Sequence, residues 1–426
     1  MGLQINPSQG LAKLHVMESN WQRISSKAML LSGIALLTAG GVLAGPPIAT
    51  GSGPTNALAR LGDPLRNLSA GDLNSFNAGR QAFLRNEQPP TGLGPVFNGQ
   101  ACAQCHQAGA PGGAATNTGV AVVTRIGGMV NGTYSDLTQF GGPVIQARSL
   151  REFIPNYPVP REVVPPQAQF VSRRLTTPVF GDGLIEAIPD ETILSRAGVP
   201  QADGVMGTAN YSVDPVTGLS RVGRFGWKCQ HSTILGFAGD AYLNEMGITN
   251  VFFPTENLPQ GNPIPPGADP VADPEDVRGD VNQIANFMKF LTPPMRLGAT
   301  LRIVQGEATF KAMQCTSCHV ESMSTGPSSI AALSNVKVSL WSDLLLHHMG
   351  PGLDDGVQQN LAMGDMWRTA PLWGLSVRRL YLHDGRATNL DQAIRLHGGE
   401  ATPSVNRYVT LSATDQANVI AFLGSL

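Results

Sequence analysis

Four of the five cysteines fall into two copies of one pattern, Cys102-Ala103-Gln104-Cys105-His106 and Cys315-Thr316-Ser317-Cys318-His319. C-x-x-C-H is the attachment signature of c-type haem. Two thiols three positions apart reach the two vinyl groups of one porphyrin as thioethers, and the adjacent histidine turns under the ring to bind iron. A chain with two such patterns has to wrap two large, flat groups, and that requirement constrains its fold more than any other feature. Zinc would want a closed set of four ligands and predicts no histidine directly after each pair. A thioredoxin-like dithiol sits in a βαβ context that this sequence lacks. Two covalently bound c-type haems are therefore expected, held by Cys102 and Cys105 with His106, and by Cys315 and Cys318 with His319. Cys229 is left over and reads as a buried thiol that acts as a small hydrophobe.

Thioether attachment suits an exported protein, and the N-terminus agrees. Arg23 and Lys27 precede an apolar run over residues 28–44, which ends in Val42-Leu43-Ala44 before Gly45-Pro46-Pro47. This is the layout of a secretory signal peptide, expected over residues 1–44, with Met17 a possible start. No later segment reaches 18 apolar residues, so the mature chain is expected in the periplasm with no stable membrane span. The formal charge is −2, with 29 Lys plus Arg against 31 Asp plus Glu. That balance gives no support to nucleic-acid partners or to a polybasic membrane patch. Hydrophobic content of 42 % excludes a disordered chain.

The stretch before each motif repeats. Ala78-Gly79-Arg80-Gln81-Ala82-Phe83 matches Gln305-Gly306-Glu307-Ala308-Thr309-Phe310. In both copies a short helix with Gly and Phe leads to the haem cysteines, as in duplicated cytochrome c domains. With 49 Gly and 32 Pro, the remaining sequence points to long loops. Residues 155–166 and 254–274 are Pro-rich, and the second stretch is the stronger linker signal. Helices are expected over 192–197, 232–246 and 275–291, and over a C-terminal segment that opens on the capping pattern Ser412-Ala413-Thr414-Asp415. The expected fold is mainly α: two cytochrome c-like domains with long Gly/Pro-rich loops. The division runs 45–270 for an N-terminal haem domain with inserted loops and 271–426 for a C-terminal cytochrome c domain.

What stands on the far side of each iron decides whether a haem only passes electrons or binds an oxidant. His347, His348, His383, His397, Met349, Met363 and Met366 all follow the second motif. Between Gly45 and Gln314 the only histidine outside the first motif is His231. This asymmetry predicts a six-coordinate second haem and an open or weakly ligated first one, with His231 or Met129 as the rival closing ligand. Acid–base help at an open haem would come from Glu186, set among apolar residues in Gly183-Leu184-Ile185-Glu186-Ala187-Ile188-Pro189. Trp227 could lie between the haems and assist electron transfer, against the commoner reading of a packed core Trp. Arg386 is a candidate to neutralise a haem propionate, and His383 beside it a candidate supporting contact.

These stretches carry a resemblance. Gly92-Leu93-Gly94-Pro95-Val96-Phe97-Asn98, Arg224-Phe225-Gly226-Trp227-Lys228, Asp343-Leu344-Leu345-Leu346-His347, Trp367-Arg368-Thr369-Ala370-Pro371-Leu372-Trp373-Gly374-Leu375, Tyr381-Leu382-His383-Asp384-Gly385-Arg386-Ala387 and His397-Gly398-Gly399-Glu400-Ala401 resemble the bacterial di-haem oxidoreductases labelled peroxidase or thiol oxidoreductase. The resemblance covers nearly all of the mature chain. More distantly the chain is similar to the di-haem cytochrome c peroxidases, in which a methionine after the His-Asp-Gly stretch binds the second haem. The corresponding position here is His397, which implies a bis-His second haem of lower potential. Those peroxidases also carry a histidine shortly after the first motif, where this chain has Gly, Ala and Pro (residues 107–115). That departure implies an open first haem, a layout shared with the rubber oxygenases.

The expected function is an exported di-haem oxidoreductase. A small electron-donor protein would feed the second haem, and hydrogen peroxide or another small oxidant would be reduced at the first. The alternatives are a non-enzymatic electron-transfer cytochrome and a haem dioxygenase acting on an apolar substrate.

Overall fold

The computed structural model describes residues 60–119 and 121–426. The leader expected over residues 1–44 lies outside them. Helix accounts for 33 % and strand for 14 % of the described residues, the strands forming several small sheets. The fold is thus helices mixed with small sheets, an ordinary helix content rather than the mainly α fold expected, with a β component that the sequence pattern did not announce. Among the described residues no helix is long and apolar enough to cross a membrane.

Ten α-helices occur among the described residues: α1 (Ala70–Leu84), α2 (Cys102–Cys105), α3 (Asp182–Glu186), α4 (Asp190–Leu194), α5 (Ile234–Met246), α6 (Asp280–Phe290), α7 (Leu301–Ala312), α8 (Leu390–Arg395), α9 (Thr402–Val409) and α10 (Ala413–Leu423). The long ones begin at side-chain caps. Ser69 accepts from the Asp72 N–H at 3.1 Å, Thr300 from Ile303 at 3.3 Å and Ser412 from Asp415 at 3.1 Å. Each cap satisfies an N–H that the helix itself leaves unpaired. The helix expected over 275–291 starts later, at Asp280. Asp276 accepts from the N–H groups of Asp280 and Val281 at 2.7 and 3.1 Å, so it stands before the helix as a cap.

The repeat in the sequence becomes a repeated crossing. α1 packs on α6, and α7 packs on α10. α1 buries Phe76, Gly79, Ala82 and Phe83, and α6 buries Val281, Ile284, Phe287 and Met288. In the other pair, Gly306 and Phe310 of α7 meet Asn418, Val419 and Phe422 of α10. Gly is required at both crossings. A Cβ on Gly79 would lie 2.0 Å from the Gln283 carbonyl oxygen, and one on Gly306 would lie 1.9 Å from that of Asn418. Phe83, Phe287 and Phe422 are at most 1 % exposed, and burying each is worth about 1.5–3 kcal/mol. α6, which the sequence division groups with the second motif, therefore packs beside the helix that precedes the first.

Among the described residues the largest sheet, of four strands, lies between the motifs. Val122–Val130 pairs antiparallel with Phe170–Leu175, in register from Val122 with Leu175 to Gly127 with Phe170. The end of this second strand joins distant parts of the chain. The Leu175 N–H donates to the His383 carbonyl at 2.6 Å, and the Leu175 carbonyl accepts from the Trp227 indole N–H at 2.7 Å. A further antiparallel pair, Leu346–His348 with Met366–Arg368, sets His347 opposite Trp367. Residues 155–166 form neither helix nor strand, and residues 254–274 contain only a short 3-10 turn at Pro259–Gly261, as their proline content predicts.

Candidate haem sites

Each C-x-x-C-H pattern opens onto a cavity. The first holds about 1230 Å³ of space between protein atoms, counted out to solvent, and the second about 1330 Å³. Cys102, Cys105 and His106 line the first, with Phe83 from α1, Tyr242 and Glu245 from α5, and Ile284 and Met288 from α6. Cys315, Cys318 and His319 line the second, with Phe310 from α7 and Leu423 from α10. The repeat extends to the rings. Phe83 lies against His106 with centroids 5.9 Å apart, and Phe310 against His319 at 6.1 Å. Burial pushes both imidazoles down to about 4. They are neutral at physiological pH, which is the form that binds a metal.

The second cavity contains His397 as well. Its Nδ1 meets the Ala393 carbonyl oxygen at 2.7 Å, and His319 Nδ1 meets that of Trp341 at 2.9 Å. Such a contact puts the proton on Nδ1 and leaves the Nε2 lone pair free in both rings. The other candidates differ. His347 uses both ring nitrogens, Nε2 with Asp343 at 2.9 Å and Nδ1 with Glu400 at 2.8 Å. Burial alone would lower it, but its hydrogen bonds to Asp343, Cys318 and Glu400 carry it up to about 12. His383 lines the cavity with its ring flat on Trp367, the centroids 3.8 Å apart. His348 is exposed and pairs with Asp365. Met363 is 52 % exposed, whereas Met349 lines the cavity.

In the first cavity the imidazole besides His106 is His231, stacked on Phe237 at 5.0 Å with Nε2 3.4 Å from Asp240. Met129 is exposed on its strand and does not line the cavity. Gly112 and Gly113 turn back to hydrogen-bond the His106 and Ala110 carbonyls. Arg125, Gln230, His231 and Asp240 also line a third, more polar cavity together with Tyr134, Asp136 and residues 358–360. The first cavity is thus adjoined by a polar antechamber.

Both cavities fit a group that carries carboxylates. Arg125 in the first and Arg368 and Arg378 in the second have an Nε buried with no hydrogen-bond partner. A buried guanidinium N–H left unpaired is costly, and an anionic edge such as a haem propionate supplies the missing acceptor. The sequence points to Arg386 for this role, and the structure sets it outside both cavities. Arg386 is 40 % exposed, gives its Nε to Asp384 at 2.6 Å and Nη1 to the Gly352 carbonyl, and lines neither cavity. Arg368 stands inside a stretch that carries the resemblance, but nothing in the sequence around Arg378 or Arg125 marks them as facing a cavity.

The two residues expected to assist catalysis part company. Trp227 lines both cavities. Glu186 lines neither, because its Oε1 accepts from the Ile234 N–H at 2.7 Å and so caps α5. The carboxyls that α5 does bring to the first cavity are Asp240 and Glu245. Glu245 accepts from the Asn98 amide at 3.0 Å, and burial pushes it up to about 7. Its signal in the sequence is faint, one of two acidic residues in α5, placed next to the helix's last residue.

A family model described as "di-haem oxidoreductase, putative peroxidase" matches residues 167–426. A comparison with curated proteins finds no match. Among solved structures, hydrazine synthase from Kuenenia stuttgartiensis is similar at 14 % identity over 89 % of this chain and 99 % of its own, with a TM-score of 0.38. A MauG-like protein associated with microbial copper homeostasis shares 13 % identity over 87 % of this chain and 95 % of its own, TM-score 0.39. The diheme peroxidase BthA from Burkholderia thailandensis shares 13 % over 83 % and 86 %, TM-score 0.40.

Proposed function

The chain belongs to the di-haem oxidoreductase family, and on that premise we propose that it is an exported c-type peroxidase whose two haems divide the work. The observation that carries this reading is Trp227, one side chain that walls both cavities. Haem, when bound, supplies iron that stores and passes single electrons and can present an open coordination position. The chain's own residues do the rest.

At the second site His319 and His397 would hold the iron, because both keep Nε2 free while main-chain carbonyls hold Nδ1. Arg368 and Arg378 would meet the propionates. Held by two strong ligands, that haem would serve as an electron relay, fed by a small donor protein. At the first site His106 would hold the iron and Arg125 would meet a propionate. His231, engaged by Asp240, would leave that iron free to take an oxidant. The four motif cysteines hold the haems as thioethers. The division between the haem domains follows α6, whose Ile284 and Met288 wall the first cavity.

Peroxide reduction consumes two electrons and two protons and yields two waters. The two electrons would come through the two haem sites, and the protons need a carrier beside the first cavity. Burial carries Glu245 to about 7, so near neutral pH it can both hold and release a proton. The His231–Asp240 pair links that cavity to the polar antechamber, a route suited to a small polar oxidant rather than an apolar substrate. His231 also favours a second reading, a non-enzymatic carrier in which its ring turns to close the first iron.

Steady-state hydrogen peroxide consumption by the donor-reduced holoprotein separates the two. The peroxidase reading expects turnover on the usual enzyme scale, roughly 1–10³ s⁻¹. Oxidation of the reduced protein no faster than that of a bis-His cytochrome would overturn it and leave the carrier.

A further inference from the structure

Away from both cavities, three carboxylates meet where the Pro-rich segment rejoins the helical core. Glu256 and Asp273 belong to that segment and Glu275 follows it. One oxygen from each lies within 4.8 Å of the other two. Carboxylates at this spacing repel, and a cation beside them would relieve it. The charged neighbours acting on Glu256 are Glu275, Asp273 and Asp269, and those acting on Glu275 are Asp269 and Asp273. Every one of them is an acid.

A second observation is independent of that proximity. Glu275 is 4 % exposed, and its Oε1 is buried with no hydrogen-bond partner. Glu256 Oε1 is likewise buried and unpartnered. The other Glu275 oxygen accepts from the Thr249 N–H at 2.9 Å, and the Thr249 hydroxyl donates to Asp273. The cluster is therefore held in shape by Thr249 while two of its acceptors remain unused. A buried acceptor without a donor costs about 1–3 kcal/mol, more when it is charged.

We propose that Glu256, Asp273 and Glu275 form a divalent-cation site, and that the cation is Ca²⁺. The donor set is all oxygen, which excludes the metals that favour nitrogen and sulfur. Ca²⁺ accepts six to eight oxygens in irregular geometry, so three carboxylates with water completing the shell suit it better than Mg²⁺, which demands a near-ideal octahedron. The site has a mechanical consequence. Asp276, next to Glu275, caps α6, and Ile284 and Met288 of α6 line the first cavity. The cation ties the Pro-rich segment to the helix that walls the first haem site. The proposal does not depend on the peroxidase reading.

Titration calorimetry of the EGTA-treated holoprotein with CaCl₂ tests it, with the thermal midpoint recorded beside it. One Ca²⁺ per chain is expected, with a dissociation constant of roughly 10⁻³ M or tighter, and a midpoint that rises when it binds. Asp273→Asn, at the exposed position, and Glu256→Gln should each weaken binding at least tenfold. Their unchanged Soret absorbance would show that they still fold and load haem. No binding up to about 10 mM Ca²⁺, ten times the weakest affinity such modules use, would overturn the site. So would wild-type affinity in both variants, and tighter binding of Mg²⁺ than of Ca²⁺ would overturn the assignment of the ion.

Discussion

Trp227 stands edge-on to Trp367, with ring centroids 6.3 Å apart and planes at 84°. The two indoles are unequal. Lys228 holds its Nζ 4.1 Å over the Trp367 ring, and the Arg174 guanidinium lies 5.3 Å from it. Two cations beside a ring resist removal of an electron from it. Trp227 lines both cavities and donates its N–H to Leu175, so it is the better relay. Trp227→Phe should slow electron transfer between the haems by about tenfold, equivalent to ~1.4 kcal/mol on the barrier. Trp367→Phe should slow it less. Flash reduction of one haem, followed at the Soret band of the other, measures both.

In the proposed reading His397 is what distinguishes the two haems. His397→Ala should turn the second haem high-spin, visible as a blue-shifted Soret band and loss of one low-spin EPR signal. His397→Met should restore six-coordination and raise the potential by a few hundred mV, within the roughly 0.8 V that axial ligands command. A redox titration of the variant that overlays the wild type would remove His397 from the iron.

His347 is a structural charge rather than a ligand. It is 2 % exposed between Asp343 and Glu400. Removing one partner of such a buried pair costs about 3–5 kcal/mol, so His347→Gln should lose that much at pH 6. The folded state holds this imidazole up to about 12, above its ordinary 6.5. The stabilisation it brings is therefore complete below about pH 6.5 and is lost as pH rises towards 12. Denaturant unfolding at pH 6 and pH 10 should find the gap between wild type and His347→Gln smaller at the higher pH.

The matched glycines make a sharper structural prediction. Gly79→Ala and Gly306→Ala each drive a methyl group into backbone at 2.0 and 1.9 Å, so neither neighbour can simply turn aside. Each should cost about 1–3 kcal/mol or more. Gly79→Ala should disturb the first haem selectively and Gly306→Ala the second, read from which Soret component shifts.

These glycines also mark what the sequence could convey. Gly79 with Phe83 and Gly306 with Phe310 repeat because each helix must cross a partner backbone closely and then seat a ring against a haem histidine. The Ser412 cap was readable for the same local reason. The strand Phe170–Leu175 was not. Its inward residues Ser172 and Arg174 bind Asp355 rather than an apolar core, so the apolar–polar alternation that announces a half-buried strand is missing. Glu186 and Arg386 show a different limit. Their neighbours in sequence suggested a site, but the Ile234 N–H takes the carboxylate and Asp384 takes the guanidinium. Arg378 and Glu245 reach the cavities through tertiary packing, which spacing along the chain does not encode.

The central claim is that one haem relays and the other reacts. Low-temperature EPR of the fully oxidised holoprotein and its His397→Ala variant tests it most directly. The account predicts one low-spin ferric signal beside one high-spin signal in the wild type, with the low-spin signal alone lost in His397→Ala. Two low-spin signals and no high-spin signal in the oxidised wild type, or a low-spin signal that survives His397→Ala, would contradict it.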